Sequence, residues 1–464
     1  MNFKRFIKTA AVFFTGNVLS KLVSFFLLPL YTNKLSPEQY GSYDIVVSLI
    51  NLIAPIAFLQ IWDGVFRFAF DYEKSSDKQK AIDNGTFIFL CGIVFYIAIF
   101  LSLSVYFKIE YKIYALMYGL FFALQYIYTF AARVYLKNKL FAASGVINTL
   151  VTAILNIILI LSFGWDVKSL YVSHIVGIVV QIVIIEISLG VVKNFKISHI
   201  DKHLIFKMIK FSIPLCIATI SYWMLSGYTK TIIYEKLGTY ANGLYAVANK
   251  FASMITIVVT VFQYAWNEMA YMMANKQDRT NSYNICVDIM IKGTLWGTAI
   301  ICLAVKIAFP YLIDPQYSDA LALIPACIIG VAFNSLAGFL GTLFMTEKKT
   351  GFILTSTLIS AAVNIVLGYI GCRLWGLQGA VVSLAIAFFL LLVLRLAKLI
   401  ISYNLRVKVN NIFHFAVLAI SVLTFIFTDS YMLFFTSGIL CILFGLYFYY
   451  YIKCLFVRKK KPKL

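Results

Sequence analysis

Charge is scarce in this chain. Only 13% of its 464 residues are Asp, Glu, Lys or Arg, against about 25% in a soluble domain. Acid is the scarcer sign, with 19 Asp and Glu beside 40 Lys and Arg. The four histidines (174, 199, 203 and 414) are scattered. His199 and His203 share a helical i, i+4 face in a basic segment and read as solvated surface. The eight cysteines have no metal-ligand spacing and read as small hydrophobes. No metal or cofactor is expected. A Gly-rich phosphate loop is also missing, which argues against ATP hydrolysis. Long polar segments are missing too. The longest are DYEKSSDKQKAIDN (71–84) and NFKISHIDKH (194–203). Neither could house a catalytic domain, so no enzyme activity is expected. No small-x-small cleavage site follows the first apolar run, so residues 1–30 read as a retained helix.

Apolar sequence takes the place of charge. The chain is 62% hydrophobic, with a mean hydropathy of +0.88. A membrane helix needs roughly 20 apolar residues, and fourteen stretches qualify. Those used below are 9–32, 41–69, 206–234, 241–274, 351–373, 378–402, 412–428 and 431–454. Continuous runs of this length argue for helices and against a β-barrel of alternating strands. The expected fold is an all-α polytopic membrane protein.

The net charge of +21 follows topology. With the N-terminus inside, Lys and Arg collect on the cytoplasmic side. They include Arg133, Lys137 and Lys139, the stretch from Lys193 to Lys210, Arg406 and Lys408, and the tail RKKKPK (458–463). Outside fall only Lys34, Lys108, Lys112, Lys168, Lys236, Lys306 and Arg373. This asymmetry satisfies the positive-inside rule and places both termini in the cytoplasm. Anionic membrane lipids are expected partners; nucleic acid is not.

An internal repeat organises the chain. KLSPEQYGSY (34–43) and KLGTYANGLY (236–245) share Lys-Leu, Gly and Tyr at an offset of 202 residues. Farther on, Asn156-Ile157 matches Asn364-Ile365, and Val172-Ser173 matches Val382-Ser383. These identities imply a duplicated six-helix unit, whose halves are related by an axis along the membrane normal. The expected parts are a first lobe at 1–195, a second at 196–404, and helices 13–14 with a basic tail at 405–464. The repeated segment reads as the outer turn between the first two helices of each half. Gly41 and Gly243 would give it backbone freedom, Pro37 would suit a chain leaving a helix, and Tyr40, Tyr43, Tyr240 and Tyr245 would join the interfacial aromatic belt.

The run GNVLSKLVSFFLLPLYTNKLSPEQYGSYDIV (16–46) resembles the start of Wzx-type polysaccharide flippases. Their Gly-Asn-rich first helix ends in a Leu-Ser-x-x-x-Tyr-Gly turn. They belong to the multidrug/oligosaccharidyl-lipid/polysaccharide exporter (MOP) superfamily, with the MATE drug exporters and the MurJ-type lipid II flippases. The fourteen helices resemble the MurJ-type branch. The resemblance implies a bacterial inner-membrane flippase for a polyprenyl-pyrophosphate-linked oligosaccharide, working by alternating access in cell-surface polysaccharide biosynthesis. The alternatives are a lipid II flippase and a MATE-like drug exporter. Other polysaccharide assembly proteins are implied partners. A Na+ or H+ gradient, or the membrane potential, would drive transport.

Charges inside a membrane cost about 2.5 to above 10 kcal/mol each and face cavities or partners. Lys21, Lys230, Lys250 and Arg67 are the candidate cavity cations for an anionic substrate. Lys21 lies deep in helix one, where it either contacts substrate or pairs with an acid. Asp63 and Arg67 are spaced i, i+4 and suit an internal ion pair. Asp63 and Glu268 are the coupling or ion-pair candidates. Pro55 and Pro214 are hinge candidates.

Overall fold

A computed structural model describes residues 21–72, 74–273, 279–346, 349–403, 405, 411–428 and 430–459. These residues are helical, with no strand among them. Residues 21–26 are helical. Fourteen helices follow: α1 (Leu28–Lys34), α2 (Pro37–Ala57), α3 (Ile61–Ala69), α4 (Ser75–Tyr106), α5 (Lys112–Val134), α6 (Asn138–Leu161), α7 (Lys168–Leu189), α8 (Lys202–Ser226), α9 (Tyr228–Met273), α10 (Arg279–Leu312), α11 (Ile324–Thr346), α12 (Thr350–Tyr403), α13 (Asn411–Phe427) and α14 (Ser430–Lys459).

Helices and expected spans differ where the backbone breaks. Gly238 (φ 84°) divides α9, and Trp375–Gly376 (Gly376 φ 56°) divides α12. Each break falls between two expected spans. Span two is split within itself, into α2 and α3. Among the described residues, nine helices are long and apolar enough to cross a bilayer, and two shorter apolar segments lie at Phe413–Phe427 and Phe434–Tyr447. The chain is a multi-pass membrane protein.

The contacts define two compact units, Met1–Ala246 with Thr357–Ala380, and Val247–Ser356 with Val381–Leu464. In the first, the core runs along α2, α4 and α5. Phe58 stacks on Phe89 at 4.5 Å and on Tyr96 at 5.6 Å between ring centroids. Segment 71–84 is mostly the start of α4 rather than a loop. Asp83 and Asn84 are fully buried there, and they clamp the α7–α8 connection. Asp83 Oδ2 lies 2.6 Å from His199 Nδ1 and accepts the Lys196 N–H at 3.2 Å. Asn84 donates to the His199 carbonyl and accepts the Asp201 N–H. His199 is therefore a contact residue, not solvated surface. At the opposite end of α4, the Asp166 carboxylate accepts the Tyr111 hydroxyl at 2.5 Å and pushes that phenol up to about 12.

The repeated segments meet each other. Ser36 caps α2 through a reciprocal bond with Gln39. Pro37 opens this helix rather than following one, because its fixed φ and missing N–H suit a first helical turn. The equivalent of Ser36, 202 residues on, is Gly238. These two residues make the turns. Gly41 and Gly243 instead lie inside helices, where they allow close packing. A Cβ on Gly41 would sit 2.0 Å from the Thr239 carbonyl oxygen, and one on Gly243 would sit 2.0 Å from that of Pro37. Pro37 and Thr239 are themselves equivalents in the repeat, so the contact is its own mirror in sequence. Asn242 adds a 2.7 Å bond to the Gly41 carbonyl. The tyrosines also depart from the belt expectation. Tyr40 and Tyr245 are buried, and Tyr43 packs on Tyr171 at 5.1 Å; only Tyr240 is exposed. The repeat persists deeper. Buried Asn156 donates to the Tyr31 hydroxyl at 3.0 Å. Its equivalent Asn364 donates to the Leu225 carbonyl at 2.9 Å and the Thr229 hydroxyl at 3.0 Å.

In the second unit α10 organises the packing. Lys292 Nζ bonds Asp288 Oδ2 at 2.9 Å, and both are buried. Trp296 Nε1 donates to His414 Nδ1 at 2.9 Å. Lys306 donates to the carbonyls of Phe425 and Thr428, so α10 holds α13 near both ends. Buried Arg395 donates to the Ala337 carbonyl at 2.7 Å and to Ser356 Oγ at 3.2 Å.

Gly243→Val should lower the unfolding temperature in nanodiscs by a few degrees, since overpacking costs about 1–3 kcal/mol. Gly297→Ala, where an added Cβ meets nothing within 4 Å, should not. Melting of Gly243→Val at the wild-type temperature would show that the glycine contact is not tight.

Candidate functional site

Polar chemistry concentrates where span two breaks. α2 ends at Ala57, two residues after Pro55. Leu59 (φ 52°) and Gln60 (φ 48°) are left-handed, and α3 starts at Ile61. Left-handed backbone at two non-glycine residues is unusual and costs of order 1–3 kcal/mol each. The surroundings compensate. The Gln60 N–H returns to the Pro55 carbonyl at 3.0 Å, and Cys216 Sγ contacts the same oxygen at 3.2 Å. Pro55 thus sits at a real interruption. Pro214 lies within α8, which continues to Ser226.

A side-chain chain crosses this break. Thr219 Oγ1 donates to Gln60 Oε1 at 2.7 Å, and Gln60 Nε2 donates to Asp63 Oδ2 at 2.7 Å. Asp63 is half-buried. Its expected ion pair with Arg67 does not form. Arg67 reaches one turn the other way, to Asp71 at 2.6 Å, on an exposed surface. Asp63 is already held by an amide, and Asp71 is the nearer carboxylate to solvent. Arg67 is thus paired with Asp71 rather than with Asp63.

Lys230 has a partner that the sequence reading did not name. Its Nζ lies 2.8 Å from Asp44 Oδ1 and 2.7 Å from Oδ2. Only the Oδ1 contact has hydrogen-bond geometry. Each side chain is 18% exposed. Asp44 belongs to the YGSYD run, next to the glycine contact, and Trp223 Nε1 donates to the Ser48 carbonyl one turn on, at 2.8 Å. Asp44 was legible as an acid at the start of span two. Its partner, 186 residues away, was not.

Lys21 opens the described part of the first helix and is exposed on the protein surface. No carboxylate among the described residues forms an ion pair with it. Lys250 is half-buried on α9. Glu268 also lies on α9, but its side chain is outside the described residues. The structure therefore brings Asp63 into one polar cluster and Lys230 into another. Arg133, read as a cytoplasmic-side charge, covers the rings of Phe66 and Phe130 at 4.5 and 5.0 Å. Among the described residues, no group of three or more His, Cys, Asp or Glu side chains has metal-site geometry.

A family model described as "Polysaccharide biosynthesis protein" matches residues 6–266. The "Lsg locus putative protein 1" of Haemophilus influenzae (strain Rd) is 21% identical over 257 residues. That match spans 54% of this chain and 62% of the relative, less than two thirds of the relative's length. Among solved structures, an inward-facing MATE-family multidrug resistance transporter of the MOP superfamily aligns with a TM-score of 0.65 at 13% identity, covering 82% of this chain and 92% of that one. The lipid II flippase MurJ, in an inward closed conformation, aligns with a TM-score of 0.62 at 14% identity, covering 96% and 99%. These structures share the fold.

Removing one member of a buried ion pair strands the other charge, at a cost of about 3–5 kcal/mol, and less where water reaches it. Asp44→Asn and Lys230→Met should each destabilise the protein by roughly 2–3 kcal/mol on that scale, while the double variant should lose less than the sum. Additive losses in thermal unfolding would show the two groups to be uncoupled.

Proposed function

Because the chain belongs to the polysaccharide biosynthesis protein family, we propose that it is a flippase for a lipid-linked oligosaccharide. The substrate is a polyprenyl-pyrophosphate-linked glycan, carried from the cytoplasmic to the outer leaflet of the bacterial inner membrane by alternating access. Both termini are cytoplasmic in this reading. The observation that carries it is the family match over 6–266, on a fold shared with MurJ over almost its whole length. Helix two supports a transport role. Broken helices with polar side chains at the break are the usual way a transporter exposes polar groups at membrane depth, and α2 and α3 provide one at Leu59–Gln60.

Within this reading Lys21 and Lys250 serve the anionic headgroup. Lys230 serves it only when Asp44 lets go. Asp63 and Glu268 are the groups through which a Na+ or H+ gradient would act, and the membrane potential is the other source of drive. The likeness to MATE transporters keeps drug export as a second reading, and Asp63 is the carboxylate that would receive a cationic drug. A lipid II flippase would use the same mechanism on a different glycan. Membrane lipids and other polysaccharide assembly proteins are the proposed partners.

The test is the leaflet distribution of polyprenyl-linked oligosaccharides in cells lacking the gene. They should accumulate on the cytoplasmic face, with rescue by wild type and loss of most of that rescue with Lys21→Ala. An unchanged pool and sidedness, with no redundant transporter present, would instead favour drug export.

A further inference from the structure

One face of α5 carries rings at every fourth residue: Tyr118, Phe122, Tyr126 and Phe130. Four residues of helix rise about 6 Å, so these rings stand one above another along roughly 18 Å. Successive centroids lie 6.0, 5.3 and 6.3 Å apart. α3 supplies a second rail. Trp62 stacks on Tyr126 at 4.7 Å with planes 18° apart, and Phe66 meets Phe130 edge-on at 5.7 Å.

Pure packing does not account for this row. Tyr118 and Trp62 are buried and anchor the row, but Phe122, Tyr126, Phe130 and Phe66 are only half-buried, and polar groups stand beside them. Gln125 donates to Gln181, which also accepts from Asn148 at 2.9 Å and donates to Ser144. Arg133 closes the row over Phe130 at 5.0 Å. Amides and a guanidinium beside half-covered rings are costly against lipid tails but suit a surface that takes an amphipathic ligand. Pyranose sugars are such ligands. Their C–H faces are apolar and stack on rings, while their hydroxyls, around the rim, seek amides and charges. The rung spacing is close to the length of one sugar.

We propose that this α5–α3 row binds the sugar portion of the substrate, one pyranose at each of the half-buried rungs Phe122, Tyr126 and Phe130, with the anionic end of the ligand toward Arg133. The inference rests on the flippase reading and adds the surface that distinguishes a glycan-bearing lipid from its bare carrier.

The test measures binding to the purified full chain in nanodiscs. The probes are a polyprenyl pyrophosphate and the same lipid bearing a neutral hexose trisaccharide. Wild type should prefer the glycosylated probe by about tenfold, the order that a few ring contacts would supply. Phe122→Leu and Tyr126→Leu should lose most of that preference yet bind the bare carrier as wild type does, which also controls for folding. Tyr126→Phe keeps its ring and should keep the preference. If wild type binds the carrier without preferring the trisaccharide, or if both leucine variants keep the full preference, the inference is overturned and the flippase reading stands. If wild type binds neither probe, both fall.

Discussion

A polar group carried into hydrocarbon has to find its partner inside the protein, and the rest of this structure is arranged around that demand. Unsatisfied groups cost several kcal/mol each where water cannot reach them. The break in helix two meets the demand through a chain of neutral and charged acceptors, from Thr219 through Gln60 to Asp63. Arg395 meets it with backbone carbonyls and a hydroxyl. Asp44 and Lys230 meet it with each other. None of these solutions is local in sequence except where a helix turn happens to supply one, as with Asp288 and Lys292.

The same demand gives the last two helices a physical attachment. The repeat read from the sequence does not extend to them. α10 takes over. Trp296 fixes the imidazole of His414, and Lys306 satisfies carbonyls at the other end of α13. A lysine at a helix C-terminus meets both the unpaired carbonyls and the negative end of the helix dipole. Lys306 had read as an outer-loop charge. Its long apolar stem and charged tip fit either place, and only tertiary contact decides.

Whole-helix features were legible because they depend on composition and length. The fourteen spans emerged from apolar runs alone, and the breaks at Gly238 and Trp375–Gly376 fall between adjacent spans. Side-chain partners were much less legible. The i, i+4 rule offered Asp63 to Arg67, but it is symmetric along a helix, and Asp71 satisfied it equally well from the other side. Asp44 was overlooked because its partner is far away in the chain. The aromatic row on α5 has a clear four-residue spacing, yet 17% of all residues are aromatic, so spacing alone could not separate it from packing. Gly41 and Gly243 were recognised as special for the wrong reason. A glycine permits an unusual backbone or a close neighbour, and sequence does not say which.

The glycine contact also bears on how this chain arose. Gly41 approaches Thr239 as Gly243 approaches Pro37, with each residue meeting the counterpart of its own neighbour. This is the geometry of an isologous interface, in which one patch serves both partners of a two-fold dimer. A half-length ancestor could have paired with a copy of itself through a single glycine, needing no second mutation to complete the fit. The two halves are not equivalent at this contact today. The Asn242 bond to Gly41 shows the difference, since Tyr40 stands at the matching position of the first half and packs on Tyr31 instead. The contact is thereby strengthened on one side alone.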